Sequence, residues 1–390
     1  MSPGAQLACI DFIRFAGDLG SSMYFEQFLH HGLSACSDSI PCELPGLDNW
    51  EGIDALKHRL KRFAAAHPDS RVLLANRSSQ LMKLAARLLF GPCRNVLTTD
   101  LTWQTYAKIL RSNREAVGNR ITCLPLHRRI LRDTISASEV AQIVVDKFVK
   151  NKCDGLFLPA VDNLGIRFPV EQCVQAISSR CELRFVVVDG AQAIGHIPIS
   201  LAKDYCDFYI AGCHKWLRAF HPMGLGFFGN DRSADYIEDA IERLLNCGAI
   251  DDPLLSFTEQ ARTNAVNPFG ETVNLGVLFS CYGALLDTEN PKQFPEGDLQ
   301  STNADAVLDA AHESGWHSIH PHASLQSRIL LLEHPTLADR NESAEQIRHD
   351  FLRAGVALTA YDKGRVRISL PAQPWTSEQL GCLSRAFTSN

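Results

Sequence analysis

From Arg71 onward, short continuous apolar runs alternate with longer segments whose apolar positions recur every three or four residues. Val72–Ala75, Asn95–Thr99, Ile121–Pro125, Gly155–Pro159 and Phe185–Val188, which ends at Asp189, read as strands buried on both faces. Between them, Ser78–Leu89, Thr105–Arg111, Ser136–Val149 and Pro169–Ser179 read as amphipathic helices; the first carries Leu81, Leu84, Ala85, Leu88 and Leu89 on one stripe. This rhythm predicts an α/β fold with a mostly parallel sheet covered on both faces. Another apolar run, Phe208–Ala211, leads to the pair His214-Lys215. The Gly-rich strand Met223–Gly229 formally matches G-x-G-x-x-G, but the helix of a dinucleotide fingerprint does not follow it.

Residues 1–50 show few clear periods and are expected to form an arm packed on the larger domain or on a partner subunit. A helix is expected over Asp48–Ala66, and the large domain over 51–290, with further helices at Ala234–Leu245 and Val273–Leu286. The Pro-, Gly- and charge-rich stretch Pro291–Asp298 marks a boundary. Beyond it, residues 291–390 predict a small α+β domain: helix Ala304–Ala311, strand Arg328–Leu332, helix Ala344–Ala354, strands Val356–Ala360 and Arg365–Leu370, helix Ser377–Phe387.

The formal charge of -6 gives no reason to expect nucleic acid or an anionic membrane as partner. No apolar run approaches the roughly 18 residues of a membrane span, and the first residues lack a signal pattern, so a cytoplasmic chain is expected. The 13 cysteines lack any C-x-x-C pair and read as reduced thiols. His312, His317, His320 and His322 lie in a Gly- and Pro-containing segment whose spacing aligns no ligand set, so no metal is expected.

In a parallel sheet, ligands sit beyond the carboxyl ends of the strands, where Ser78, Trp103, Asn163, Asp189 and Lys215 all fall. Asp189 ends a buried strand, where an unpaired carboxylate is costly; a pyridinium N–H resolves that cost, and so does capping the next turn. Gln192, three residues on, can donate to a phenolic oxygen. An apolar strand before Lys215 and Trp216 after it imply a desolvated amine, as a Schiff-base nucleophile requires. Ser78 and Ser79 open a helix, so they can cap it and hold a phosphate at its N-terminus, with Arg77 beside them. Trp103 can stack on a planar ring or fill the core. Arg365 and Arg367 share a strand face; one suits a substrate carboxylate, and a salt bridge or solvent is the other's ordinary fate. Together these residues point to pyridoxal 5'-phosphate.

Asp189-Gly-Ala-Gln192, Gly195-His196 and His214-Lys215-Trp216 resemble the class V aminotransferase superfamily of fold type I pyridoxal-phosphate enzymes, which includes cysteine desulfurases, kynureninases and isopenicillin N epimerase. Ser78-Ser79-Gln80 resembles its phosphate turn, Val161-Asp-Asn163-Leu-Gly165 its Asn loop, and Val366-Arg367-Ile-Ser its carboxylate-binding strand. The resemblance implies that Lys215 is catalytic and that His214 touches the phosphate. It also implies that Trp103 stacks on the ring, that Asn163 reaches cofactor or substrate, and that Arg367 holds the substrate carboxylate. A homodimer is implied as well, with Asn267 or Thr272 of one subunit completing the other's phosphate site. Two departures stand out: no Cys occurs between Cys281 and Cys382, where desulfurases carry their nucleophile, and Arg218-Ala-Phe220 is inserted before His221. His221 could act as an acid or base, or shape the turn. The reading is an amino-acid enzyme, first an aminotransferase or related deaminating enzyme, then a β-eliminating C–S lyase, then an epimerase. A cofactor-binding regulator is the non-enzyme alternative.

Overall fold

A computed structural model describes residues 1–19, 22–36, 43–262, 272–289, 299–371 and 373–388. The chain divides into two compact units: 1–124, 141–160 and 170–289 form the large one, and 125–140, 161–169 and 290–390 the small one.

The large unit is built on β1 (Arg71–Ala75), β2 (Asn95–Thr99), β3 (Arg120–Leu124), β4 (Gly155–Pro159), β5 (Phe185–Asp189), β6 (Phe208–Gly212) and β7 (Gly224–Phe228). Their order in the sheet is β1-β7-β6-β5-β4-β2-β3, and only β7 runs against its neighbours. β4, β5 and β6 are buried along their whole length, which is why their sequences are unbroken apolar runs. The helix Ser78–Phe90 buries Leu81, Leu84, Leu88 and Leu89 in a core shared with Phe157, Phe185 and Phe208. β1 ends the sheet, yet it is covered by the helix Pro253–Arg262.

That cover is fastened by a buried charge. Glu259, 1% exposed, accepts from Lys57 Nζ at 3.0 Å and from Arg71 Nη2 at 2.7 Å, with Arg262 Nε at 3.6 Å. Three elements meet at one carboxylate: the helix Ile53–Phe63, β1 and the helix Pro253–Arg262. Glu259→Gln strands Lys57 without its counter-charge and leaves Arg71 only Glu238, at 2.8 Å. A loss of about 3 kcal/mol is expected, read as an earlier denaturant midpoint at unchanged slope.

The first fifty residues are more regular than their sequence indicates. Pro3–Leu19 is a helix packed on the helix Gly276–Thr288, with Phe12 stacked on Phe279 at 4.2 Å. Its apolar residues face two ways: Ala5, Ala8 and Phe15 are buried, whereas Leu7, Ile10 and Ile13 are exposed, so no polar face marks the period. The helix expected over Asp48–Ala66 is shorter, Ile53–Phe63, and Val273–Leu286 is shifted to Gly276–Thr288.

In the small unit, β8 (His317–Ser318), β9 (Ile329–Glu333), β10 (Thr359–Tyr361) and β11 (Arg365–Ser369) form an antiparallel sheet in the order β10-β11-β9-β8. One face, carrying Leu330, Leu332, Val366 and Ile368, joins a core with Trp316, Phe351 and Phe387. Arg365 and Arg367 alternate with Val366 and Ile368 and so lie on the other face. A short helix, His127–Arg132, also belongs to this unit; its sequence, HRRILR, is too basic and too short to show an apolar period. The boundary stretch 291–298 lies outside the described residues.

Candidate active site

Four strands of the large sheet deliver the predicted residues at their carboxyl ends. Ser78 follows β1, Trp103 follows β2, Asp189 ends β5, and His214-Lys215 follow β6. The helix opened by Ser78 has Arg77 at its N-cap, extended and giving no side-chain cap. Gln80 N donates to Arg77 O at 3.0 Å, while the N–H groups of Ser78 and Ser79 precede any intrahelical acceptor. Those two donors and the helix dipole favour an anion. A Cβ on Gly224 of β7 would stand 2.7 Å from the Arg77 carbonyl and from Ser78 N, so only glycine lets this turn lie against the sheet. The Gly-rich run thus admits the Arg77–Ser78 turn by close packing, which its sequence pattern alone did not reveal.

Asp189 is 6% exposed. Its Oδ1 accepts from Ala191 N at 3.0 Å, and Oδ2 has no hydrogen-bond donor among the described residues. Burial pushes the carboxyl up to about 6, against the Ala191 N–H and the charge of Lys215, which both favour the ionised form. A carboxylate held this way lacks one strong donor, and a pyridinium N–H is such a donor. The residue after it is fixed by packing: a Cβ on Gly190 would meet the Tyr209 ring at 2.1 Å.

Gln192 is oriented by its neighbours. Trp216 Nε1 donates to its Oε1 at 2.9 Å, which leaves the NH2 as the group able to serve an anionic oxygen. His196 stacks on Trp216, with ring centroids 3.7 Å apart, and its Nδ1 lies 2.6 Å from the Gln192 carbonyl oxygen. This latch ties the loop after β5 to the turn carrying Lys215, a positioning contact of Trp216 that the sequence pattern did not reveal.

Lys215 departs from expectation. It is exposed rather than desolvated, because it stands at the open carboxyl edge of the sheet, past the buried end of β6. The turn itself is held firmly: Arg218 N donates to Lys215 O at 3.2 Å, and Ala219 N to Cys213 O at 3.1 Å. Phe220 of the insertion and His221 after it give their backbone N–H groups to Ser280 Oγ at 2.7 and 3.1 Å, which ties this segment to the helix Gly276–Thr288. Partial burial and then the Lys215 charge lower the pKa of His214, which makes it a neutral donor near neutral pH. Trp103 is 48% exposed and meets Tyr106 edge-on at 5.1 Å, so it is not a core residue.

The small unit holds a separate cluster. Arg367 donates from Nη1 to the Asn163 carbonyl at 3.0 Å and from Nη2 to Thr359 Oγ1 at 3.1 Å, while its buried Nε has no acceptor among the described residues. Asn163 spends its amide N–H on Tyr361 Oη at 3.2 Å, leaving Oδ1 for another donor. Asp162 accepts from Leu164 N and Ile166 N at 2.9 and 2.8 Å and keeps a buried Oδ2 without a partner among the described residues. Burial drives its carboxyl up to about 7, outweighing the backbone donors and Arg367. Arg365 instead pairs with Glu333 at 2.9 Å. Asn267 lies outside the described residues, and Thr272 is exposed. Among the described residues, no three His, Cys, Asp or Glu side chains form a metal-ligand group, and no helix is long and apolar enough to cross a membrane.

The family model for class V aminotransferases matches residues 48–234. Among curated proteins, the chain is 24% identical over 185 residues to a cysteine desulfurase of Wigglesworthia glossinidia brevipalpis, taking in 45% of this chain and 41% of that enzyme. It is 41% identical over 73 residues to the isopenicillin N epimerase of Streptomyces clavuligerus, 19% of this chain and 15% of the epimerase. The matches thus span less than half the length of these relatives. Among solved structures, a NifS-like protein superposes with a TM-score of 0.68 at 14% identity, covering 100% of this chain and 95% of that one. Residues 48–234 are thus similar in sequence to the class V aminotransferases, and the fold is that of the NifS-like protein.

Proposed function

We propose that the protein converts an amino acid, by transamination or a related deamination, as a homodimer. What carries the reading is the buried Asp189, with one oxygen lacking a donor, set two strand-ends away from the phosphate turn and beside the strand that delivers Lys215. When bound, pyridoxal 5'-phosphate withdraws electrons from the α-carbon of the substrate amine. Ser78, Ser79 and His214 hold its phosphate through N–H groups, and Trp103 offers a ring face for stacking. Asp189 keeps the proton on the pyridine nitrogen, and the Gln192 amide donates to the phenolic oxygen. Lys215 Nζ takes the proton from the substrate α-carbon and returns it. Arg367, with Asn163 beside it, receives the substrate carboxylate. The exposed stripe Leu7, Ile10 and Ile13 supports self-association.

A second reading, β-elimination with C–S cleavage, is favoured by one feature: the stretch between Cys281 and Cys382 offers no thiol to receive a transferred sulfur, so a sulfur-bearing substrate would lose it as a free product. Epimerisation ranks third. Incubation with each amino acid, with and without a 2-oxo acid, separates them. A new amino acid formed from the acceptor supports transfer. Pyruvate and ammonia without an acceptor support elimination, and inverted configuration alone supports epimerisation.

A further inference from the structure

The face of the small sheet that carries Arg365 and Arg367 also borders an open cavity of about 1000 Å³, lined by residues of the small unit alone. Its walls are the helix His127–Arg132, the residues from β8 to His320, the end of β9, the stretch 338–341 and the β10–β11 turn. Four permanent cations line it, Arg128, Arg132, Lys363 and Arg365, against two carboxylates, Glu333 and Asp339. Glu333 is taken by Arg365 at 2.9 Å. Among the described residues, Arg128, Arg132 and Lys363 have no ion-pair partner.

The arrangement is more ordered than a solvated basic patch. Arg128 and Arg132 stand four residues apart on one helix and so project side by side. Lys363 approaches from the turn opposite, at φ +65°, and His320 adds a ring N–H. In a chain of net charge -6, a concave site where unpaired cations outnumber the unpaired carboxylate three to one is a local inversion of sign. The volume suits a small molecule, not a macromolecular chain. Guanidinium pairs recognise phosphate and carboxylate oxygens in the same way, so geometry selects multivalent anions as a class.

We infer that this cavity is a binding site for a small multivalent anion bearing phosphate or carboxylate groups, distinct in its residues from the Arg367 cluster. Arg365 sits two residues from Arg367 along β11, roughly 7 Å at the rise of a strand, so the two anion-binding groups are neighbours on one sheet face.

The test is calorimetric titration of the cofactor-loaded protein at low salt with inorganic pyrophosphate and, separately, citrate; neither needs turnover. Saturable one-to-one binding with Kd below about 1 mM is expected for at least one probe. Arg128→Ala and Arg132→Ala each weaken it by about tenfold or more, while Arg367→Gln leaves it unchanged. Both arginines are exposed, so their removal takes nothing from the core, and a thermal melt checks this. Binding of pyrophosphate alone identifies a phosphorylated ligand, and of citrate alone a polycarboxylate. Absence of saturable binding by both probes overturns the inference. So does binding that Arg132→Ala leaves intact or that Arg367→Gln abolishes.

Discussion

Asp189→Asn is expected to lower turnover by about 10²–10³-fold while making the cofactor-free protein more stable at pH 8. The two effects share one cause. Asn cannot hold the proton on the pyridine nitrogen, so the group that Asp189 stabilises electrostatically loses its partner. In the cofactor-free protein the same carboxylate is a burden. Its folded value of about 6 lies above the roughly 3.9 of an unfolded Asp. Between those two values the unfolded chain has released its proton and the folded one has not. Stability therefore falls as pH rises through that window and stays lower above it. Asn is neutral throughout, so melting temperatures of wild type and Asp189→Asn should differ more at pH 8 than at pH 5. Saturation with cofactor should remove the advantage of the variant. A variant destabilised at pH 8 without cofactor would contradict this assignment.

Arg367→Gln is expected to lower kcat/KM by about 10²-fold for substrates with an α-carboxylate, mainly through KM, and to have little effect on the matching amines that lack it. The guanidinium is oriented by the Asn163 carbonyl and Thr359, and its buried Nε has no acceptor among the described residues, which a bound carboxylate can supply. Asp162 adds a pH dependence. Its carboxyl, pushed to about 7, is largely protonated below that pH and gains a negative charge near Arg367 above it. KM for the carboxylate substrate should rise as pH increases through 7, and Asp162→Asn should flatten that rise. Steady-state kinetics across pH 6 to 8.5 reads both outcomes.

Much of the large unit was legible because its central strands are buried on both faces. Phe185–Asp189 and Phe208–Gly212 are as continuous in sequence as they are buried in structure. The carboxyl-edge residues were legible for the same reason: once the strands are placed, a parallel sheet puts their ends at one edge. Other features depend on contacts between distant segments. Nothing local in Gly224 announces the Arg77 carbonyl it must admit, and nothing in Gln192 announces that Trp216 fixes its amide. The burial expected of Lys215 failed because apolar neighbours in sequence lie behind it in the strand, not around its ammonium group. In the small unit, Arg365 and Arg367 were equivalent by spacing. Cross-strand neighbours separate them: Glu333 lies opposite Arg365, and Thr359 opposite Arg367.

The claim on which the rest depends is that Lys215 bonds covalently to a pyridoxal-type cofactor. Titrating the purified protein with pyridoxal 5'-phosphate tests it directly by absorbance. Wild type should develop a visible band that saturates at one cofactor per chain and survives gel filtration. Lys215→Ala should bind the cofactor through the phosphate turn and Asp189 without that band. A wild type that forms no band, or a Lys215→Ala variant that develops the same band and keeps the cofactor covalently attached after borohydride reduction and denaturing filtration, would contradict the account.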